Sequence, residues 1–105
     1  MKKPNIVLFV TDDHGQWANS TYGNNDVQTP SLDFLASRGI VMENAFTPTP
    51  VCSPSRACIY TGRISSQHGI HDYLGSGIDD VYEKSLWQDH EKLISDIFHE
   101  DGYHT

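Results

Sequence analysis

Val51-Cys52-Ser53-Pro54-Ser55-Arg56-Ala57-Cys58-Ile59-Tyr60-Thr61-Gly62-Arg63 is the run against which the other residues take their meaning. Ser53 is a good N-cap and Pro54 a good first helical residue, so a helix is expected to start there, continue through Tyr60 and stop at Thr61-Gly62. Cys52 then sits at the helix mouth. Unpaired backbone N–H groups and the positive end of the dipole favour an anion at that point. Arg56, about one turn on, adds a planar fork suited to sulfate or phosphate oxygens. A nucleophile position and an anion site therefore coincide. Two plainer readings compete: Cys52 as an inert buried thiol beside a surface Arg, or Cys52 as a plain thiolate stabilised by the helix end. Composition does not choose between them.

Upstream, Thr47-Pro48-Thr49-Pro50 is expected to be stiff and extended, because a residue before proline is pushed towards β or polyproline geometry. Further back, residues 5–10 form a continuous apolar, mostly β-branched run, which suits a central strand buried on both faces. It ends at Thr11-Asp12-Asp13-His14-Gly15. Open α/β sheets place their ligands at the C-terminal ends of strands, and two adjacent carboxylates repel unless a positive charge lies beside them. A hard divalent cation would answer that repulsion; a solvated turn or a helix cap is the alternative. Oxygen-only ligands favour calcium or magnesium over zinc.

The string from Cys52 to Arg63 resembles the signature of the formylglycine-dependent sulfatases, Cys-x-Pro-Ser/x-Arg followed by a short apolar helical turn and Thr-Gly-Arg. The resemblance implies an alkaline-phosphatase-like α/β fold, a mixed and largely parallel sheet flanked by helices, of which residues 1–105 would be the N-terminal part. It implies that Cys52 is oxidised to formylglycine by a formylglycine-generating enzyme that reads the following Pro54 and Arg56. It also implies that Asp12 and Asp13 coordinate calcium, with magnesium as the alternative, and that modified Cys52 completes this part of the metal site. The function implied is hydrolysis of a sulfate ester, most commonly of a sulfated carbohydrate, with Cys52 and Arg56 as catalytic residues. The hydrated aldehyde offers one hydroxyl to attack sulfur, and the alcohol leaves with a proton. The second hydroxyl then loses its proton and expels sulfate, restoring the aldehyde. In the family a Lys, a His and the remaining metal ligands follow at positions beyond Thr105, so this segment alone is expected to be inactive. A phosphonate monoester or phosphodiester hydrolase of the same superfamily, and a non-catalytic relative that binds sulfated glycans, are the alternative readings.

The other elements support a layered α/β chain. Thr29-Pro30 should open a helix running to Arg38, with Gly39 as its stop and Leu32, Leu35 and Ala36 on one face. Residues 40–46 read as a second strand. His14 is expected to hydrogen-bond a neighbour, and Trp17 and Tyr22 to pack under a loop, with stacking on a substrate ring as the competing role. His68 and His71 are a weak metal pair and read as loop packing, with a place at the substrate edge as the competing role. Residues 73–84 read as a surface loop. Leu93, Ile94, Ile97 and Phe98 make one apolar helical stripe ended by Gly102, with Tyr103 entering a strand. Cys58 lies six residues from Cys52, a spacing that a continuing helix makes unsuitable for a disulfide, and reads as a small core residue.

The net charge is −7 over 105 residues, and the acid excess is confined to the second half: nine carboxylates face two lysines from Asp72 onward. No basic patch is present, which argues against nucleic acid or an anionic membrane surface as partner. Residues 6–10 are too short for the apolar core of a leader peptide, and no small-residue cleavage site follows, so a cytoplasmic location is expected if Met1 is the natural start, and a periplasmic or secreted one if it is not.

Overall fold

The computed structural model describes residues 3–74 and 92–105, and the chain divides into two compact units, Met1–Ala45 and Phe46–Thr105. The expected loop over 73–84 lies outside the described residues from position 75 on. No helix among the described residues is long and apolar enough to cross a membrane.

In the first unit, residues 5–10 run without secondary structure, and Val7 and Phe9 are 88% and 82% exposed. The expected central strand is therefore not formed, and neither residues 40–46 nor 103–105 pair as strands. The described residues contain helices and no strand. A strand exists through its ladder to a neighbour, and one buried on both faces also needs a layer on each side. Among the described residues neither the ladder nor the layers are supplied.

The ordered part of this unit is a pair of 3-10 turns, Gln16–Ala18 and Ser20–Tyr22, beside helix α1, Pro30–Ala36. Pro30 takes the first helical position, where its missing N–H costs nothing. The helix ends two residues before Arg38, in a tightening turn: Arg38 N–H bonds Leu35 C=O at 3.1 Å and Gly39 N–H bonds Ala36 C=O at 3.4 Å. Thr29 does not cap α1 with its side chain; it bonds backwards instead. Thr29 N–H donates to Ser20 Oγ at 3.0 Å, and Thr29 Oγ1 donates to Asn19 Oδ1 at 2.9 Å. Asp33 completes the knot, accepting from Ser20 Oγ at 2.8 Å and Thr21 Oγ1 at 2.6 Å. The expected apolar face of α1 does form, as Leu32, Leu35 and Ala36 line an open groove of about 390 Å³ with Ile40, Val41 and Met42.

The second unit is built on helix α2, Cys52–Thr61, followed by the single turn α3, Ser65–His68, and by α4, Ile94–Glu100. Its buried residues are Pro54, Ala57, Cys58, His68 and Ile70. Gly62 ends α2 at φ 67°, a left-handed conformation that glycine adopts without a Cβ penalty, and its N–H bonds Cys58 C=O at 2.9 Å. Thr61 Oγ1 bonds Ala57 C=O at 2.7 Å and accepts Arg63 N–H at 3.2 Å. The Thr-Gly-Arg end of the motif is thus a helix terminator with a side-chain clasp. In α4, Phe98 meets Tyr103 edge to face at 5.1 Å across the Gly102 stop, while Ile97 is 54% exposed and leaves the expected stripe partly open.

Candidate active site

The N-terminus of α2 lies two residues earlier than Ser53-Pro54 suggests. Val51, extended at φ −118° and ψ 137°, is the N-cap; its C=O accepts Ser55 N–H at 3.0 Å, which closes the first helical turn. Cys52 is therefore the first helical residue, and Ser53 is inside the helix. Pro54, in the same turn, has no N–H to offer, so the first-turn donors nearest Cys52 belong to Cys52 and Ser53 themselves. Arg56 follows Cys52 by four residues and shares its helix face. Both side chains are half-buried. The shift in boundary leaves Cys52 at the N-terminus of α2 with Arg56 one turn further on.

The segment leading in is bent at positions 48–51, where an extended run was expected. Thr47 Oγ1 bonds Thr49 C=O at 3.0 Å and also meets Ser55 Oγ in the first turn of α2. The hydroxyl bonds override the preference for a straight course. Behind the helix, the buried His68 fixes the other end. Its Nδ1 accepts Ile70 N–H at 3.1 Å, so the ring proton is on Nε2, which donates to Cys58 Sγ at 3.3 Å. His68 is thus a packing residue, as its sequence context suggested, and Cys58 is a core residue with a polar partner. Both cysteines are free thiols. The Cys58–His68 pair was not foreseen, because a ten-residue separation across a helix stop follows no local rule; a buried-prone Cys near a buried-prone His was the one available signal.

In the first unit, Asp12 and Asp13 are both exposed, and Asp13 adopts φ 51°, the one positive φ of a non-glycine among the described residues. Aspartate tolerates the left-handed region better than most residues, and such a conformation is a mark of constrained sites. Two adjacent carboxylates on a sharp turn are a hard, oxygen-only donor set and fit part of a calcium or magnesium site, whose six to eight ligands need further groups. Among the described residues no set of three His, Cys, Asp or Glu side chains comes together to hold a metal. His14 Nε2 donates to Ala18 C=O at 3.0 Å, the neighbour bond expected of it. Trp17, expected under a loop, is 74% exposed. Tyr22 is tied down by its hydroxyl, which donates to Met42 C=O at 3.0 Å.

A family model described as Sulfatase matches residues 4–105. The chain belongs to the sulfatase family. Relatives include an N-acetylglucosamine-6-O-sulfatase of Bacteroides thetaiotaomicron, 45% identical over 83% of this chain and 16% of its own length. An arylsulfatase of Clostridium perfringens is 38% identical over 98% of this chain and 20% of its own length. Human N-acetylgalactosamine-6-sulfatase is 31% identical over 95% of this chain and 20% of its own length. This sulfatase chain thus spans about a sixth to a fifth of these relatives. No solved structure matches. Family membership implies the alkaline-phosphatase-like α/β fold; the described residues contain its helices and no strand.

Proposed function

We propose that the protein of which this chain is the N-terminal catalytic segment hydrolyses sulfate esters, and that its substrate is a sulfated carbohydrate. The observation that carries this reading is helix α2, which begins at Cys52 and presents Arg56 one turn along the same face. Cys52 is the residue to be converted to formylglycine by a modifying enzyme that reads Cys52, Pro54 and Arg56. Pro54 is buried in the folded unit, so that reading must precede folding.

When present, the formylglycine aldehyde and a divalent cation supply the hydrated nucleophile and the charge that steadies the sulfate oxygens. The chain's own residues do the rest. Asp12 and Asp13 would hold the cation. The first-turn N–H groups of α2 and the Arg56 guanidinium bind and orient the sulfate oxygens, and their fixed positive potential favours the charge that gathers there during transfer. The buried face of α2, Pro54, Ala57 and Cys58, keeps the helix end stationary. The names of the N-acetylglucosamine and N-acetylgalactosamine sulfatase relatives support a sugar as leaving group.

The test is the mass of tryptic peptide 39–56 from the longest natural form of the protein in its own cells. The expected result is a cysteine whose sulfur has been replaced by an aldehyde oxygen. Unmodified Cys52 throughout would remove the nucleophile and leave a sulfated-glycan binder as the reading. In the converted enzyme, Arg56→Ala should lower kcat for sulfate release by roughly 10²- to 10³-fold, the loss typical of an oxyanion-binding group.

A further inference from the structure

Two hydroxyls flank Pro54 in the signature, and both serve chain outside the helix. Ser55 Oγ meets Thr47 on the segment leading in. Ser53 Oγ accepts the Leu74 N–H at 3.0 Å, from 21 residues further on. Ser53 Oγ also stands 4.0 Å from Cys52 Sγ, so the Leu74 nitrogen lies no more than about 7 Å from the nucleophile position. The strap that ends there begins at buried Ile70 and is braced by Asp72, whose Oδ1 accepts Tyr73 N–H at 2.7 Å. Residues 71–74 belong to no helix or strand. Among the described residues the Leu74 N–H has Ser53 Oγ as its partner, and this bond ties the segment to the first turn of α2. Tyr73, 56% exposed, is carried on the strap immediately before that bond.

The geometry points to Ser53 as a positioning residue: by holding Leu74 it stations the strap 71–74 as one wall of the approach to position 52, where Tyr73 offers an aromatic face to the ring of the leaving group. The inference rests on the proposed role of Cys52 and goes beyond it, since the signature leaves position 53 open. A flat aromatic face suits the apolar side of a pyranose or an aryl ring, and its contribution is to ground-state binding, so it acts on KM more than on kcat. The Ser53 side chain touches neither sulfate nor the reacting atoms; it acts through the strap.

The experiment compares Ser53→Ala, Ser53→Thr, Tyr73→Ala and the Ser53→Ala/Tyr73→Ala double variant in the longest natural form, each with its Cys52 conversion measured by mass. Amide exchange at Leu74 reads the bond directly: it should quicken in Ser53→Ala and stay slow in Ser53→Thr and Tyr73→Ala. With N-acetylglucosamine 6-sulfate as probe, KM should rise about three- to ten-fold in Ser53→Ala, the scale of one lost hydrogen bond, with a smaller change in kcat. The threonine variant should restore it. The double variant should be no worse than Tyr73→Ala, because both changes remove the same wall. If the protein releases no sulfate, the proposed function fails, and the same comparison is made on the dissociation constant of that sugar sulfate. Unchanged exchange at Leu74 in Ser53→Ala overturns the latch. Quickened exchange with KM or dissociation constant unchanged, or additive losses in the double variant, overturns the wall.

Discussion

Asp13 shows how a single residue can meet a backbone demand and a chemical one together. Its φ of 51° needs a residue that tolerates the left-handed region, and its carboxylate is half of the proposed cation pair. Asp13→Asn keeps the first property and removes the second, so it should leave thermal stability near that of the parent while weakening calcium binding measured by calorimetry. Asp13→Gly eases the backbone and also loses the ligand; calcium affinity retained in either variant would remove Asp13 from the metal site. Asp33 is a second case. Hydrogen bonds from Thr21 and then Ser20 hold its carboxyl below the ordinary aspartate value. A depressed value means that the ionised form is the one the fold prefers. The stabilisation is therefore complete above the unfolded value of about 3.9 and is lost as pH falls through the lower folded value. An NMR titration of the Asp33 carboxyl should show a midpoint below the ordinary value that moves up in Thr21→Val. Cys58 is the third. Cys58→Ala removes the sulfur that accepts from the buried Nε2–H of His68 and should cost about 1–3 kcal/mol in denaturant unfolding, whereas Cys58→Ser keeps an acceptor there and should cost less. The neighbour bond of His14 was legible in the sequence. Partners across 10 or 21 residues, such as Cys58 with His68 and Ser53 with Leu74, were not, because no local spacing specifies them.

At the level of elements, the sequence located helices α1, α2 and α4 but misplaced the end of α1 and the start of α2. Proline marked the start of α1 correctly because its fixed φ and missing N–H suit that position. At α2 the same signal misled: with a proline at position 54, the helix could start at Cys52 instead, because the Val51 carbonyl was able to accept from Ser55. The competition was between two acceptable caps, and the Ser53 hydroxyl was drawn to Leu74. Helix ends were easier where glycine set them. Gly62→Ala would force a side chain into the left-handed region and should cost about 1–2 kcal/mol, with faster amide exchange confined to the last turn of α2. If that substitution proves neutral, the terminator role of Thr61-Gly62 is lost.

For the molecule as a whole, the family and its fold were legible from one twelve-residue string, while the sheet was not realised in the described residues. The apolar run 5–10 has the composition of a strand buried on both faces, and it stands exposed because burial and ladder bonds must come from partners, not from the run itself. Local pattern determines helices within a segment; a sheet is a property of segments in company. The shielded position of Cys58, 7% exposed against a half-buried Cys52, has a practical consequence. The two sulfurs differ in what reaches them, so a brief alkylation pulse becomes a counter. Within residues 1–105, folded protein with an unprocessed signature should take up one label, and folded, processed protein none. Unfolding should add one label to either count, so a single mass spectrum would grade a preparation for maturation and integrity at once.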